Sequence, residues 1–426
     1  MSWNVMKSEF TKLIGGKHIF VICAVICSFC IMSDYGIVRP VSHSVFLSMY
    51  GSKLFPIVWL CVVPFSFMII ELYNRFLPRI GVCKMFYTIL GLIAVLNVSA
   101  ALFITKIPTF AFFFYIWKEI YVMLLFQQVW SVIHSTIKMD QAKYLYGIIF
   151  ACGGIGGTLG NSIPGYFAVT MGSTNLLFGT VPILCILGFG FYFLMKNSLV
   201  EKVSATPQGP QINNFWQGVS AIRSSKYLIF ILAIVVVMQV TTTLVYYQFN
   251  TVLEDSILVQ DMRTEYCGKI FGIANVFSIA LQLVGSFLLI HFLGLRRSHI
   301  AMPLFLALNA VGSLFFPSFV MISAAFVTIK AFDFSLFGVL KEMLYIPLKQ
   351  DEKFQAKAII DVFAYRSSKA VASCLILALQ WIGLREIVTT LSWGSFVLLV
   401  MWAFMVYKMF KLKEESPKPE EYDQGG

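Results

Sequence analysis

Long apolar stretches follow one another along this chain and constrain its fold more than any other feature of the sequence. An α-helix needs about 20 apolar residues to cross a hydrocarbon core of about 30 Å. Membrane-spanning strands alternate apolar and polar residues over about ten positions, and these stretches are apolar throughout. We therefore predict an all-α integral membrane protein with about twelve helices, near residues 18–38, 55–72, 84–104, 110–137, 145–170, 175–195, 226–249, 267–294, 298–318, 319–347, 358–383 and 386–410.

The composition excludes an ordinary soluble protein, because 58% of the 426 residues are hydrophobic and only 12% are charged. The net charge of +11 does not require a nucleic-acid partner. With the N-terminus in the cytoplasm, most of the 32 Lys and Arg residues fall in loops on that side of the membrane. We predict a cytoplasmic (inner) membrane protein in the lipid bilayer, with both termini cytoplasmic.

A polar segment divides the predicted helices into two groups of six. We predict an N-terminal half at 1–195, a cytoplasmic linker at 196–225 and a C-terminal half at 226–410, with a disordered cytoplasmic tail at 411–426. This layout is typical of a major-facilitator-like carrier. Such carriers bind their substrate near the bilayer midplane, between two halves that rock against each other.

Charged residues inside apolar spans are costly and normally face a cavity or a partner charge. Lys118 and Glu119 lie near the middle of the fourth predicted span. Adjacent residues differ by about 100° around a helix axis, so we expect one side chain to face a cavity and the other to face a neighbouring helix. The alternative is a structural ion pair that holds helices together.

A second group of charges runs from the inner end of the tenth predicted span into the eleventh. Lys357 and Asp361 are one turn apart and are expected to point the same way, and the spacing of Arg366 and Lys369 gives a second pair of neighbours. Cations one turn apart suit phosphate or carboxylate oxygens. One alternative is that these cations neutralise nearby acids. For Lys341 and Glu342, near the inner end of the tenth span, the alternative is that their side chains reach the interface. The substrate-binding candidates in this group are Lys341, Glu342, Lys357, Asp361, Arg366 and Lys369.

Three further positions carry competing interpretations. Lys330 and Asp333 are three residues apart and can neutralise each other. Tyr246 is a candidate to stack on a ring-bearing substrate, although an interfacial aromatic belt explains it equally well. Asp34 is the best isolated acid for proton coupling.

The glycine-rich run at residues 153–160 lacks the spacing of a nucleotide-binding loop. We interpret its small residues as a close helix contact. The nine cysteines form no pattern with histidine that would bind a metal, and no constellation of catalytic residues is present. We predict no metal, no cofactor and no enzyme activity.

Two stretches resemble the bacterial and plastid nucleotide transporter family, which includes the ATP/ADP translocases. The first is Lys-Glu-Met-Leu-Tyr-Ile-Pro-Leu at residues 341–348, followed by Ala-Lys-Ala-Ile-Ile-Asp-Val at 356–362, Arg366 and Lys369. The second consists of Glu119, Leu-Leu-Phe at 124–126, and then Trp130, Asp140, Ala142, Lys143 and Tyr146. Together they cover some 70 residues.

The resemblance implies transport of a nucleotide, often by exchange of ATP for ADP, with Glu119 and Lys357 at positions that contact the substrate. The chain also departs from the family pattern. Ser42 stands where the family has a lysine, and Tyr246 and Asn250 replace a glutamate and a nearby lysine.

The buried charges favour a carrier of a small-molecule substrate, and the resemblance implies that this substrate is a nucleotide. We predict that Lys118, Glu119 and the second group of charges bind it. One alternative is a proton-coupled importer of another nucleotide-like or anionic metabolite. Another is a degenerate paralogue whose charges only brace helices. The oligomeric state is not predicted.

Overall fold

A computed structural model describes residues 18–137, 139–198, 219–220, 222–346, 348, 357, 359–360, 364–384 and 386–415. Within these residues the regular structure is helical and no strand is present. The helices are α1 His18–Tyr50, α2 Phe55–Ile80, α3 Val82–Phe103, α4 Pro108–Thr136, α5 Met139–Met171, α6 Thr180–Lys196, α7 Lys226–Ser256, α8 Gln260–Ala280, α9 Ser286–Phe315, α10 Phe319–Leu344, α11 Tyr365–Trp381 and α12 Ile387–Glu415.

Ten segments of the described chain are long and apolar enough to cross a membrane. The all-α, multi-pass prediction is therefore confirmed. The helices α5 and α11 lie outside those ten. The linker and the tail lie largely outside the described residues, so their predicted character stays a prediction.

The first helix is longer than predicted. The apolar run ends near residue 38, yet α1 continues to Tyr50. Pro40, Ser42 and His43 interrupt the run, but their side chains are buried within the protein. A scale of transfer into lipid underestimates a helix whose polar side chains face other helices, and this is why the predicted end was wrong.

Two later spans contain irregular turns. The predicted boundary between the eighth and ninth spans is confirmed by Gly294, whose φ of 74° interrupts the helical backbone of α9. In α10, a π-helical turn at Asp333–Phe337 separates two α-helical pieces. Such turns place one extra residue in the helix and are frequent at functional sites.

The chain divides into two compact units. The first comprises Met1–Gln208 with Asn250–Ile279, and the second comprises Gly209–Phe249 with Ala280–Gly426. Residues 250–279 thus belong with the N-terminal part of the chain.

Within the first unit, α1 and α5 form a glycine-lined seam. A Cβ atom at Gly156 would lie 2.3 Å from the carbonyl oxygen of Phe29, and one at Gly160 would lie 2.3 Å from that of Ser33. The Ser33 hydroxyl donates a hydrogen bond of 3.0 Å to the carbonyl oxygen of Gly156. Small residues permit this close approach of two backbones, so the packing interpretation of the glycine-rich run is confirmed.

Candidate functional site

The first charged cluster lies on α4 in the first unit. The Lys118 side chain is completely buried, the Glu119 side chain is 26% exposed, and Lys118 Nζ lies 2.6 Å from Glu119 Oε1. The lysine nitrogen also lies 4.0 Å from the centre of the Tyr115 ring. The flexible lysine stem reaches the adjacent carboxylate of its own helix, a contact that the sequence analysis did not predict. The expectation that one charge faces a cavity and the other a neighbouring helix stays a prediction.

The α1 helix contributes a cation and an imidazole that the sequence analysis did not select. The Arg39 guanidinium lies 3.9 Å from the centre of the Phe271 ring. His43, which is fully buried, stacks on Phe55 with ring centres 4.9 Å apart. A signal was present in the sequence, because Arg39 and His43 are four residues apart and share one helix face.

Ser42 stands at the position where the resemblance places a family lysine. Its side chain is buried, and its hydroxyl donates a hydrogen bond of 3.1 Å to the carbonyl oxygen of Arg39. The hydroxyl is therefore used within α1 itself. Arg39 is the one Lys or Arg residue of α1, His18–Tyr50.

Asp34 is buried at the meeting point of α1, α3, α4 and α6. Its Oδ2 atom accepts a hydrogen bond of 2.7 Å from the Tyr121 hydroxyl, and its Oδ1 atom lies 3.4 Å from the amide nitrogen of Asn97. The same Asn97 nitrogen donates a bond of 3.0 Å to the Thr180 hydroxyl. Among the described residues, no Lys or Arg forms an ion pair with Asp34. Hydrogen-bond donors therefore compensate the carboxyl group here, and the proton-coupling role of Asp34 stays a prediction.

In the second unit, Tyr246 is buried against Phe326. The two rings stack with their centres 5.2 Å apart, and Lys330 Nζ lies 5.7 Å from the Tyr246 ring centre. An interfacial aromatic belt requires rings at the lipid surface, and the burial of Tyr246 makes that alternative wrong. The contact with Phe326 occupies one ring face, and the stacking of Tyr246 on a substrate stays a prediction.

The polar stretch of α7 is buried in the second unit up to Phe249. Gln239 donates a hydrogen bond of 2.7 Å to Asp333, at the start of the π-helical turn of α10. Two further bonds join this stretch to α11 and α12: Gln380 to the Tyr247 hydroxyl at 2.7 Å, and the Ser392 hydroxyl to Gln248 at 3.1 Å. The uncharged polar side chains of α7 thus hold neighbouring helices within this unit.

The second charged cluster is open to solvent. Lys357 Nζ lies 2.6 Å from Glu342 Oε2, and the two side chains are 35% and 49% exposed. Lys357 also lies 5.7 Å from the Tyr345 ring centre. Lys341 and Lys369 are half-buried. The prediction that Lys357 and Asp361 point the same way stays a prediction, because Asp361 lies outside the described residues.

Two predicted site residues lie outside what the structure describes. Asp361 is not among the described residues, and Arg366 lies in α11 but its side chain is not described. Their predicted roles stay predictions. The described residues of this sequence group are Lys341, Glu342, Lys357 and Lys369, and Lys357 and Glu342 form its ion pair.

Each unit thus presents ionisable groups of both signs. The first unit holds Lys118, Glu119 and Arg39 among aromatic rings, and the second holds Lys357 and Glu342 near Tyr345. Cations suit the oxygens of an anion, and carboxylates accept bonds from amino groups. Each unit by itself therefore offers groups that suit an anion or an amino-bearing ligand.

No family model matches the chain. ADP,ATP carrier protein 4 of Rickettsia prowazekii (strain Madrid E) is 20% identical to it over 463 residues, which cover 88% of each chain. ADP,ATP carrier protein 4 of Rickettsia typhi (strain ATCC VR-144 / Wilmington) is 20% identical over 452 residues, covering 88% of this chain and 85% of the relative.

Solved structures show the same fold at low identity. The POT family transporter PepTSo superposes with a TM-score of 0.63 at 10% identity, covering 92% of this chain and 98% of that chain. The nucleoside transporter NupG gives a TM-score of 0.56 at 12% identity, covering 94% and 99%. The D-xylose-proton symporter gives 0.60 at 14% identity, covering 92% and 97%. The major-facilitator-like fold prediction is thereby confirmed.

Proposed function

We propose that the chain is a membrane carrier of nucleotides that works by alternating access, without covalent chemistry. The single observation that carries the proposal is the Lys118–Glu119 pair, buried inside an apolar span of a transporter fold. Ionisable groups at that depth normally serve a solute pathway. The similarity to ADP,ATP carriers along most of the chain supports a nucleotide as the solute.

In this proposal the exposed Lys357–Glu342 ion pair opens when substrate binds. Lys357 releases Glu342 and binds phosphate oxygens when substrate arrives, while Glu119 accepts hydrogen bonds from the base or the ribose. Arg39 adds a fork of donors in the first unit, and Lys341 and Lys369 add positive charge in the second. The binding free energy differs between the two access states, which is what couples binding to the conformational change.

The experiment is uptake of radiolabelled ATP by bacterial cells that produce the protein, competed by a panel of nucleotides and nucleosides. We expect competition by some nucleotides and at least a tenfold loss of uptake in Lys357→Gln. Lys408→Gln, which removes an exposed cation from α12, is the matched control and should keep wild-type uptake. Equal loss in both variants, or no uptake of any labelled nucleotide, would contradict the proposal.

A second candidate function is proton-driven import of a nucleotide-like or anionic metabolite. Asp34 favours it, because this buried acid has hydrogen-bond donors and no ion pair within the described chain. An uncoupler should then abolish uptake, and Asp34→Asn should remove accumulation against a gradient while retaining downhill flux. Uptake at the same rate with and without the uncoupler, together with efflux stimulated by external nucleotide, would instead establish exchange.

A further inference from the structure

A groove runs along the first unit between α3 and α6. Its volume is about 610 Å³, and pockets that hold a small molecule usually measure about 300–1,000 Å³. We call it the α3–α6 groove, and its lining includes Tyr87, Gly91, Ala94, Val181, Gly188 and Phe193. The described lining shares no residue with the charged clusters, so the groove is a separate feature of this unit.

Small residues form the floor of the groove. At Gly188 a Cβ atom would lie 3.2 Å from Leu90 Cδ2 and 3.6 Å from Tyr87 Cε1, so α6 approaches α3 closely there. The Tyr87 hydroxyl donates a hydrogen bond of 2.9 Å to the carbonyl oxygen of Gly188. At Gly91 a Cβ atom would meet no atom of another helix in the described chain within 4 Å. The floor is thus closed at Gly188, and space remains above Gly91.

The walls of the groove are apolar and aromatic. Phe189 is 69% exposed and Tyr192 is 54% exposed, and both line the groove. The Tyr87 hydroxyl, a polar group of the lining, is already bonded to the backbone of α6. The polar groups of a nucleotide would find few partners here, and burying them without partners is costly. The lining therefore suits a hydrocarbon chain.

The groove lies toward one end of the two helices. On α3 its lining ends at Ala94, which lies ten residues, or about 15 Å, beyond Lys84. On α6 the lining reaches Val181, which lies 15 residues, or about 22 Å, before Lys196. A hydrocarbon core is about 30 Å thick. The groove therefore fits a chain that enters from one leaflet, whereas a membrane-spanning helix of a partner would need the full thickness.

Cations lie at the end where the groove begins. Lys84 is three residues before Tyr87 on α3, and Lys196 is four residues after Tyr192 on α6. Residues at these spacings share a helix face, so both lysines continue the line of the lining. Both lysines are exposed, and Arg79 at the end of α2 adds a third exposed cation. A lysine ammonium binds phosphate as a point charge, and its long stem reaches the head-group region.

We propose that the α3–α6 groove binds an anionic phospholipid, with one acyl chain in the groove and the phosphate at Lys84 and Lys196. Basic pockets between membrane-spanning helices suit anionic head groups on the cytoplasmic side. The distribution of basic residues predicts this end of α3 and α6 to be cytoplasmic. In the proposed carrier the solute is bound by other residues, among them Glu119 and Lys357. The lipid site is additional to them and does not depend on which solute is carried.

The test is lipid binding to the purified full-length protein, measured by native mass spectrometry in detergent. Dioleoylphosphatidylglycerol and dioleoylphosphatidylcholine carry the same chains, and only the first has a net negative head group. We expect the protein to retain the first at least fivefold more than the second, and Lys84→Gln with Lys196→Gln to remove the difference. The matched control is Lys53→Gln with Lys106→Gln, which removes two exposed cations from the opposite ends of α2 and α3 and should leave the preference unchanged.

A second variant fills the groove and leaves the lysines in place. Gly91→Phe puts a ring into the space above Gly91 and should lower retention of dioleoylphosphatidylglycerol at least fivefold. Gly147→Phe is its control: a Cβ atom at this α5 glycine also meets no atom of another helix in the described chain within 4 Å, and Gly147 does not line the groove. Thermal unfolding without added lipid should give the same midpoint for the wild type and both variants.

These measurements use no nucleotide, so failure of the proposed transport function leaves their outcome unchanged. Equal retention of the two lipids by the wild type, an unchanged preference after Lys84→Gln with Lys196→Gln, or full retention in Gly91→Phe would overturn the lipid site. A dimer that Gly91→Phe dissociates, with lipid retention unchanged, would assign the groove to a second copy of the chain instead.

Discussion

The two units carry ion pairs of the same chemistry and the same length in different surroundings. Lys118–Glu119 and Lys357–Glu342 are both 2.6 Å pairs of lysine and glutamate. The first has a completely buried lysine, whereas both side chains of the second are partly exposed. Removing one partner from a buried pair leaves an uncompensated charge, whereas an exposed pair exchanges its partner for water at little cost. Separation distance alone therefore does not tell which pair supports the fold and which is available to a ligand.

The largest expected effect comes from breaking the buried pair. Glu119→Ala leaves the Lys118 ammonium buried, which we expect to lower the free energy of unfolding by about 3 kcal/mol. Thermal unfolding of the purified protein in detergent measures it. The double variant Lys118→Met, Glu119→Gln removes both charges and should recover most of that loss while transport stays absent. A double variant as unstable as Glu119→Ala would show that burial of the lysine is not the reason for the cost.

An intermediate effect is expected at Asp34, where hydrogen-bond donors replace a cation. Asp34→Ala leaves the Tyr121 hydroxyl without its acceptor and leaves the Asn97 amide nitrogen with Thr180 alone, which costs about 2 kcal/mol. Asp34→Asn keeps an acceptor in place and should cost about 1 kcal/mol or less. The same unfolding assay orders the variants. If Asp34→Asn lowered the free energy of unfolding as much as Glu119→Ala, hydrogen-bonded and ion-paired acids would not differ in the way proposed.

The smallest effect on stability is expected at the exposed pair. Glu342→Gln should change the free energy of unfolding by less than about 1 kcal/mol, because both partners remain solvated. Nucleotide affinity should change nevertheless, since Lys357 no longer exchanges one carboxylate for another anion. Binding measured by thermal shift over a nucleotide titration, beside unfolding without ligand, separates the two quantities. Strong destabilisation without ligand would assign this pair a structural role as well.

The sequence predicted the helical fold, the boundary between the eighth and ninth spans and the glycine seam, because each depends on local pattern. Apolar length predicts a span, and small residues four apart predict a close helix contact. It failed at α1 after residue 38, where Pro40 and the polar residues behind it interrupt the apolar run. Hydropathy describes a helix in lipid, and this part of α1 is surrounded by protein.

The sequence alone could not predict which side chains contact the charged residues of the site. Helical spacing fixes the direction of each Cβ, so it placed Lys118 and Glu119 on different faces. The lysine stem is long enough to override that direction, and the two charges meet. Asn97 reaches Asp34, and Thr180 accepts a hydrogen bond from Asn97, from helices that are far away in the chain. Only the packing of α1 against α3, α4 and α6 brings them together.

The backbone contact between α1 and α5 has a consequence for how genetic data on this protein should be read. Any side chain at Gly156 or Gly160 collides with the main chain of α1. A saturation mutagenesis screen will therefore score both positions as intolerant, as strongly as a true ligand position. The amount of protein in the membrane distinguishes the two cases. A substitution in the glycine seam lowers that amount, whereas loss of a ligand contact leaves the protein in the membrane without transport activity.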